Sequence, residues 1–348
     1  MKNRSTTLTA VFATTAVLMI APMAHAQEAL KLKIQTAATA SHFSLRYLNE
    51  NWIPKLAEMT DGRINIELLP NGAVVPHRDT PDAVSMGILD GDYTSVMYFA
   101  GRDPAFALMG DLTAGYDSAD QTQAFCSIGG GREMLQKIYD KEGLDVHVVG
   151  CGAYSRESFV SKVPIRGVAD LKGKKIRAPE GLASAVFKAA GATPVAIPGS
   201  EVYTSLEKGI IDAADNSAYS NDKANGMHDI AKYPIFPGIH STPFQQFTIS
   251  NSVWDELSKA DQEILIVWYE AATNDLRRAV DQQDRELVAI DRAGDDIEVI
   301  DWSQKDRDAF REIAMGEWKK FAAGSKLAGE AYDTHVKFLK SIGLLAND

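Results

Sequence analysis

The stretch Gly173–Ser184 reads GKKIRAPEGLAS and raises the question on which the fold turns. Ile176 and Ala178 flank Arg177, so in an extended segment the guanidinium leaves on the face opposite theirs. Pro179 stops the strand, and the small residues after Gly181 begin a helix. A strand end beside a helix start suits an arginine that grips an anion. It equally suits an ordinary surface arginine on an edge strand. Reading on, ATPVAI is a strand, EVYTSLEKG a short helix, and IIDAADNS a strand that leads into a loop. The order is strand, helix, strand, helix, strand, the pattern of an α/β lobe with a largely parallel sheet.

The first half follows the same logic. LKLKIQT alternates Leu32 and Ile34 with lysines, and RINIELLP alternates Ile64, Ile66 and Leu68. A helix is expected from about Ser44 to Met59, another near Asp79–Leu89, and a strand over YTSVMYFA that ends near Tyr98. DVHVVGCG and ESFVSK read as two more strands, and FQQFTISN as a late one. From about Ser258 to Ala293 there is neither proline nor glycine, and apolar residues fall at helical spacing. Such a helix reaches about 50 Å at 1.5 Å per residue, enough to run across two lobes. No proline follows Pro243, so the C-terminal third is expected to be almost wholly helical.

The N-terminus has the composition of an export signal. Lys2 and Arg4 precede a mostly apolar run from Leu8 to Ala21, and Ala24-His25-Ala26 offers a small-x-small cleavage site before Gln27. That places the mature chain, 27–348, in the periplasm. The signal holds two basic and no acidic residues, so its removal takes the formal charge from −11 to −13. An acidic chain of this length suggests two lobes and argues against nucleic acid or an anionic membrane as partner. No later segment is long and apolar enough to span a bilayer. Cys126 and Cys151 are the only cysteines; an oxidising compartment permits a bridge, and geometry decides whether one forms.

Motifs for chemistry are missing. Gly150 and Gly152 lack the third glycine of a dinucleotide site, Lys174 lacks the spacing of a phosphate loop, and no Gly-x-Ser-x-Gly elbow occurs. His42, His77, His147, His228, His240 and His335 never fall at zinc-ligand spacing and read as surface or core histidines. No cofactor is expected, and no catalytic residue stands out.

Three stretches together carry a resemblance: DLKGKKIRAPEG (Asp170–Gly181), AAGATPVAIPGSEVYTSLEKGIIDAADNS (Ala189–Ser217) and NSVWDELSKADQEIL (Asn251–Leu265). With LLPNGAVVP and DAVSMGILDGDYTS, they resemble the DctP-type solute-binding proteins of TRAP transporters. The resemblance implies two α/β lobes joined by crossing strands and a lobe-spanning helix, with a small carboxylate-bearing solute held in the cleft. Lobe I would comprise 27–153 plus 242–280, and lobe II 154–241 plus 281–348. The partners implied are the small and large integral membrane subunits of the transporter; the chain itself is a monomer or a dimer.

The family's carboxylate-gripping arginine falls on Arg177, and Asn216 sits where the family places a polar residue against the same carboxylate. Tyr154, Arg156 and Glu157 lie where the chain would pass between lobes and are candidates to face the ligand. Tyr98, Tyr219 and Asn221 are candidates with a packing role as the alternative. Branches that bind 2-oxo acids through a metal tend to carry Glu-Trp where this chain has Asp215-Asn216, so no metal is expected. Glu157, where a sialic-acid-like branch often has an arginine, suggests a sugar acid or a zwitterion. Two other readings are a receptor that feeds a membrane sensor and a secreted enzyme acting on organic acids.

Overall fold

A computed structural model describes residues 29–40, 42–197 and 199–346; the expected export signal lies outside them. The first sheet has the order β2-β1-β3-β9-β4, from β1 (Leu30–Thr36), β2 (Ile64–Leu69), β3 (Gly91–Ser95), β4 (Val146–Ala153) and β9 (Phe244–Ser250). β1 pairs parallel with β2 and β3, whereas β9 runs antiparallel to β3 and β4. The second sheet has the order β5-β8-β6-β7, from β5 (Phe159–Ser161), β6 (Lys175–Arg177), β7 (Thr193–Val195) and β8 (Ala213–Asp215). β6 is parallel to β7 and β8, and only β5 is antiparallel. This is the two-lobed α/β architecture that the alternation of elements implies.

Between the sheets the chain crosses twice, side by side. Tyr154 N donates to Pro243 O at 3.1 Å and Glu157 N to Ser241 O at 3.1 Å. Gly238 presses against this ribbon so closely that a Cβ there would lie 1.5 Å from the Glu157 carbonyl oxygen. The position therefore admits only glycine.

The long helix spans Lys259–Ala293, with Ser258 capping it through a bond from Asp261 N. Two shorter helices complete the C-terminal third, Gln304–Ala322 and Lys326–Ser341. Gln304–Ala322 packs on both Leu182–Ala189 and Pro104–Gly110, while Lys326–Ser341 packs on Pro104–Gly110 and Gly131–Lys141. The last helix thus packs on helices that accompany the first sheet.

Three local expectations change. The helix expected over Ser44–Met59 is two, Phe43–Asn51 and Ile53–Met59, parted at Trp52. Pro54 supplies the reason, lacking the N–H that would continue the ladder. The helix near Asp79 shrinks to Thr80–Ser85, ended by Gly87 at φ +70°. The strand over YTSVMYFA stops at Ser95 and becomes a 3₁₀ turn, Val96–Phe99. Val96 and Phe99, three apart, are both buried; a tight turn puts them on one side, which a strand would not. Tyr98 rides on that turn.

Cys126, in the helix Ala119–Ile128, is joined to Cys151 of β4 with a Cα–Cα distance of 5.8 Å. Reduction, or the double substitution Cys126→Ser and Cys151→Ser, removes a cross-link closing a loop of 25 residues. In the chain-entropy account that costs about 3 kcal/mol, read as a fall of several degrees in the unfolding midpoint. His335 is fully buried, stacked on Phe125 at 4.0 Å and bonded through Nδ1 to Tyr116 Oη at 2.8 Å. Burial lowers its pKa from 6.5 to about 3. The unfolded chain therefore takes up a proton that the folded one refuses, and stability drains away as pH falls from 6.5 toward 3. His335→Gln should shrink the stability difference between pH 7 and pH 5 by about 2 kcal/mol, at 1.4 kcal/mol per pH unit, as measured by denaturant titration at both pH values.

Candidate functional site

A cleft of about 1020 Å³ opens between the two sheets. From the first lobe it is lined by His42, His77, Arg78 and Tyr98; from the second by Arg177, Pro179, Asp215 and Asn216, with Tyr154 and Glu157 from the crossing.

Arg177 is where the strand pattern puts it. Ile176 and Ala178 are fully buried and the guanidinium turns the other way. Nε donates to Ile197 O at 3.1 Å and Nη1 to Asp215 O. These carbonyls follow β7 and end β8, so the backbone of two neighbouring strands aims the side chain. Nη2 has no hydrogen-bond partner among the described residues.

Asn216 lines the cleft beside it, its Nδ2 donating to Asp222 Oδ1 at 2.7 Å. Asp222 is fully buried and also accepts from Ser158 Oγ; burial pushes its carboxyl well up. Tyr154 lines the cleft with its hydroxyl fixed by Asn221 Nδ2 at 2.9 Å. Tyr98 stands on the opposite wall, 37% exposed, with the His77 ring edge-on at 4.7 Å.

Three candidates are not part of the lining, and of these Asn221 acts by holding the Tyr154 hydroxyl. Tyr219 is fully buried and turned from the cleft: its hydroxyl donates to Asp291 Oδ2 at 2.7 Å, and its ring meets His228 at 4.4 Å. Its role is to fasten the loop after β8 to the long helix, where Asp284 also accepts the backbone N–H groups of Tyr219 and Ser220. Arg156 points out of the cleft and donates to Asp117 O at 2.6 Å.

Beneath Arg177 lies a cluster that sequence reasoning missed. Glu157, Asp215 and His240 bring one donor atom each within 4.8 Å of one another. His240 Nε2 is 3.0 Å from Asp215 Oδ1 and 3.9 Å from Glu157 Oε2. The shorter contact lacks hydrogen-bond alignment, and neither ring nitrogen of this buried imidazole has a hydrogen-bond partner among the described residues. Burial alone would raise Asp215, but His240, Glu157 and Arg177 outweigh it and hold the carboxyl below the usual range. Glu157 goes the other way, raised by burial and then by the Asp215 charge. Asp111, behind them, is pushed up to about 7 by burial, with His240 pulling against it. The signal was the segment PGIHSTPF, which places His240 on the returning crossing; only the pairing of the two crossings shows that it meets Glu157.

Residues 34–325 match the family described as bacterial extracellular solute-binding protein, family 7, or DctP. Among curated relatives, a monocarboxylate 2-oxoacid-binding periplasmic protein of Nostoc is 29% identical over 83% of this chain and 78% of its own. A 2,3-diketo-L-gulonate-binding periplasmic protein of Escherichia coli is 27% identical over 91% and 92%. Among solved structures, a TRAP periplasmic solute-binding protein of Rhodobacter sphaeroides, in an apo open state, superposes with a TM-score of 0.81. It shares 40% identity, covering 91% of this chain and all of that one. No helix among the described residues is long and apolar enough to cross a membrane. The chain belongs to the DctP family and is a solute-binding protein of the TRAP type.

Proposed function

We propose that the mature protein captures a small carboxylate-bearing solute in the interlobe cleft and delivers it to TRAP membrane subunits for uptake. The observation that carries this reading is Arg177, aimed by two backbone carbonyls with Nη2 left over on the cleft side. A guanidinium fixed in this way presents donors to a carboxylate without first having to be ordered. Two relatives, binders of a monocarboxylate 2-oxoacid and of a diketo-gulonate, take carboxylates. Residues 1–26 would be removed on export, and capture in the periplasm follows from that.

The mechanism is selection of a closed form. His77, Arg78 and Tyr98 stand on one wall, and Arg177 and Asn216 on the other. A ligand touching both walls binds the closed state better than the open one, and only that difference shifts the equilibrium. A micromolar affinity requires about 8 kcal/mol. One desolvated, charge-assisted pair and a few hydrogen bonds supply a quantity of that order.

Arg177→Ala should weaken binding of the best carboxylate in a calorimetric panel by thirtyfold or more, since truncating one side of a buried charge pair costs about 2–5 kcal/mol. Unchanged affinity would remove the arginine from the site. Tyr154→Phe and Tyr219→Phe separate cleft from scaffold. The first should weaken binding about fivefold, one hydrogen bond at about 1 kcal/mol. The second should leave affinity within about twofold while lowering the melting temperature, because the lost bond to Asp291 is structural.

A further inference from the structure

Deepening that reading, we infer that the cluster of Glu157, Asp215 and His240 is a subsite for an organic cation, so that the preferred solute is a zwitterion with an ammonium-type group close to its carboxylate. The argument starts from what stands beside Arg177. Asp215 contributes its backbone oxygen to the guanidinium and its carboxylate to the cluster, so the anion-gripping and cation-accepting groups share one residue. Glu157 and Asp215 both line the cleft. A ligand that carries both charges a few atoms apart meets a matching pair of partners there.

The acidic pair is not simply a solvated face. The Asp215 and Glu157 side chains are only 3% and 16% exposed. Two carboxylates so enclosed disfavour joint ionisation unless a positive charge joins them. His240 is turned into the same cluster with its ring nitrogens unpartnered. An ammonium offers three donors, and the Glu157 and Asp215 carboxylates offer it acceptors at a spacing a single nitrogen can bridge.

A hard cation such as calcium satisfies the donor set less well. The cluster supplies three protein atoms, of which one is an imidazole nitrogen, whereas hard cations such as calcium take six to eight oxygens. Tyr98 and Tyr154, which line the cleft with Glu157, give aromatic surface of the kind that attracts organic cations.

The test is a calorimetric titration of the mature protein, in EDTA, against matched sets on one carbon skeleton: L-alanine, L-lactate and pyruvate; 4-aminobutyrate and 4-hydroxybutyrate; glycine betaine and 3,3-dimethylbutyrate. An amino or ammonium member should bind at least tenfold tighter than its partners that lack the cationic group. Glu157→Gln, which copies the protonated acid in shape and hydrogen bonding, should erase that preference while leaving the melting temperature of the free protein in place. Four results would overturn the inference. The hydroxy, oxo or hydrocarbon members bind as tightly as their cationic counterparts; Glu157→Gln leaves the preference intact; or binding appears only on adding calcium or manganese, which would make the cluster a metal site. No binding by any cationic member likewise counts against it. If the acids that lack a cationic group bind as tightly and Arg177→Ala abolishes this, carboxylate capture stands and the cation subsite alone falls. If binding ignores Arg177, both fall.

Discussion

The pairing of the two crossing segments is the constraint on which the cleft depends. Backbone bonds from Tyr154 to Pro243 and from Glu157 to Ser241 lock the outgoing and returning chains together. Ser158 N donates to Ser217 O, which draws the loop after β8 against the same ribbon. Glu157, Asp215 and His240, remote in sequence, therefore meet in one place. Gly238 contributes by having no side chain: its close approach to the Glu157 carbonyl leaves no room for one. A floor built from hydrogen-bonded backbone positions its side chains more tightly than loops would.

The long helix adds a second constraint, because each lobe is fastened to it by carboxylates. On the first lobe, Asp275 accepts from Tyr47 Oη at 2.8 Å and Trp52 Nε1 at 2.9 Å, and Asp261 pairs with Arg63 at 2.7 Å. On the second, Asp284 holds the start of the helix after β8, and Asp291 takes Tyr219 and Lys223. Both lobes are thus tied to one rod of 35 residues. Closure without breaking these ties has to be absorbed by the crossings and by flexure of the rod. Burial raises Asp284 to about 6, the bonds from Tyr219 and Ser220 opposing it. The anchor is set by fixed donors as well as by charge, so screening by salt acts on it weakly.

Much of this fold was legible because its signals are local. Alternation in LKLKIQT and RINIELLP marks two strands, and the proline-free, glycine-free run after Ser258 marks the long helix within a residue. The face by which Arg177 leaves its strand was legible because Ile176 and Ala178 take the other one, while its assignment to a binding site rested on the family resemblance. Where competing local forces operate, the reading slipped. Pro54 splits a helix whose apolar pattern runs on, and burial of Val96 with Phe99 converts a strand end into a turn. Tyr219 was beyond reach for another reason. A tyrosine beside a binding loop can face either way, and Asp291, which decides the matter, arrives 72 residues later. The Glu157–Asp215–His240 cluster is the same kind of case, since no spacing rule relates a residue on one crossing to another on its return.

Electrostatics explains why the carbonyls around Arg177 matter as much as its charge. The chain is acidic overall, but surface charges beyond about 8 Å are largely screened at physiological ionic strength. What an entering solute experiences is the local field of the cleft wall. A guanidinium stripped of water inside a protein is costly unless its donors are used. Ile197 and Asp215 use two of them through uncharged carbonyl oxygens, which satisfy the donors without cancelling the positive charge. Had side-chain carboxylates taken those positions, Arg177 would be an internal ion pair with little left for a ligand. The Asp215 carboxylate is instead engaged on its other side, toward His240. Backbone holding the guanidinium while the adjacent carboxylate turns away is what allows opposite charges to sit side by side in the cleft and still be available.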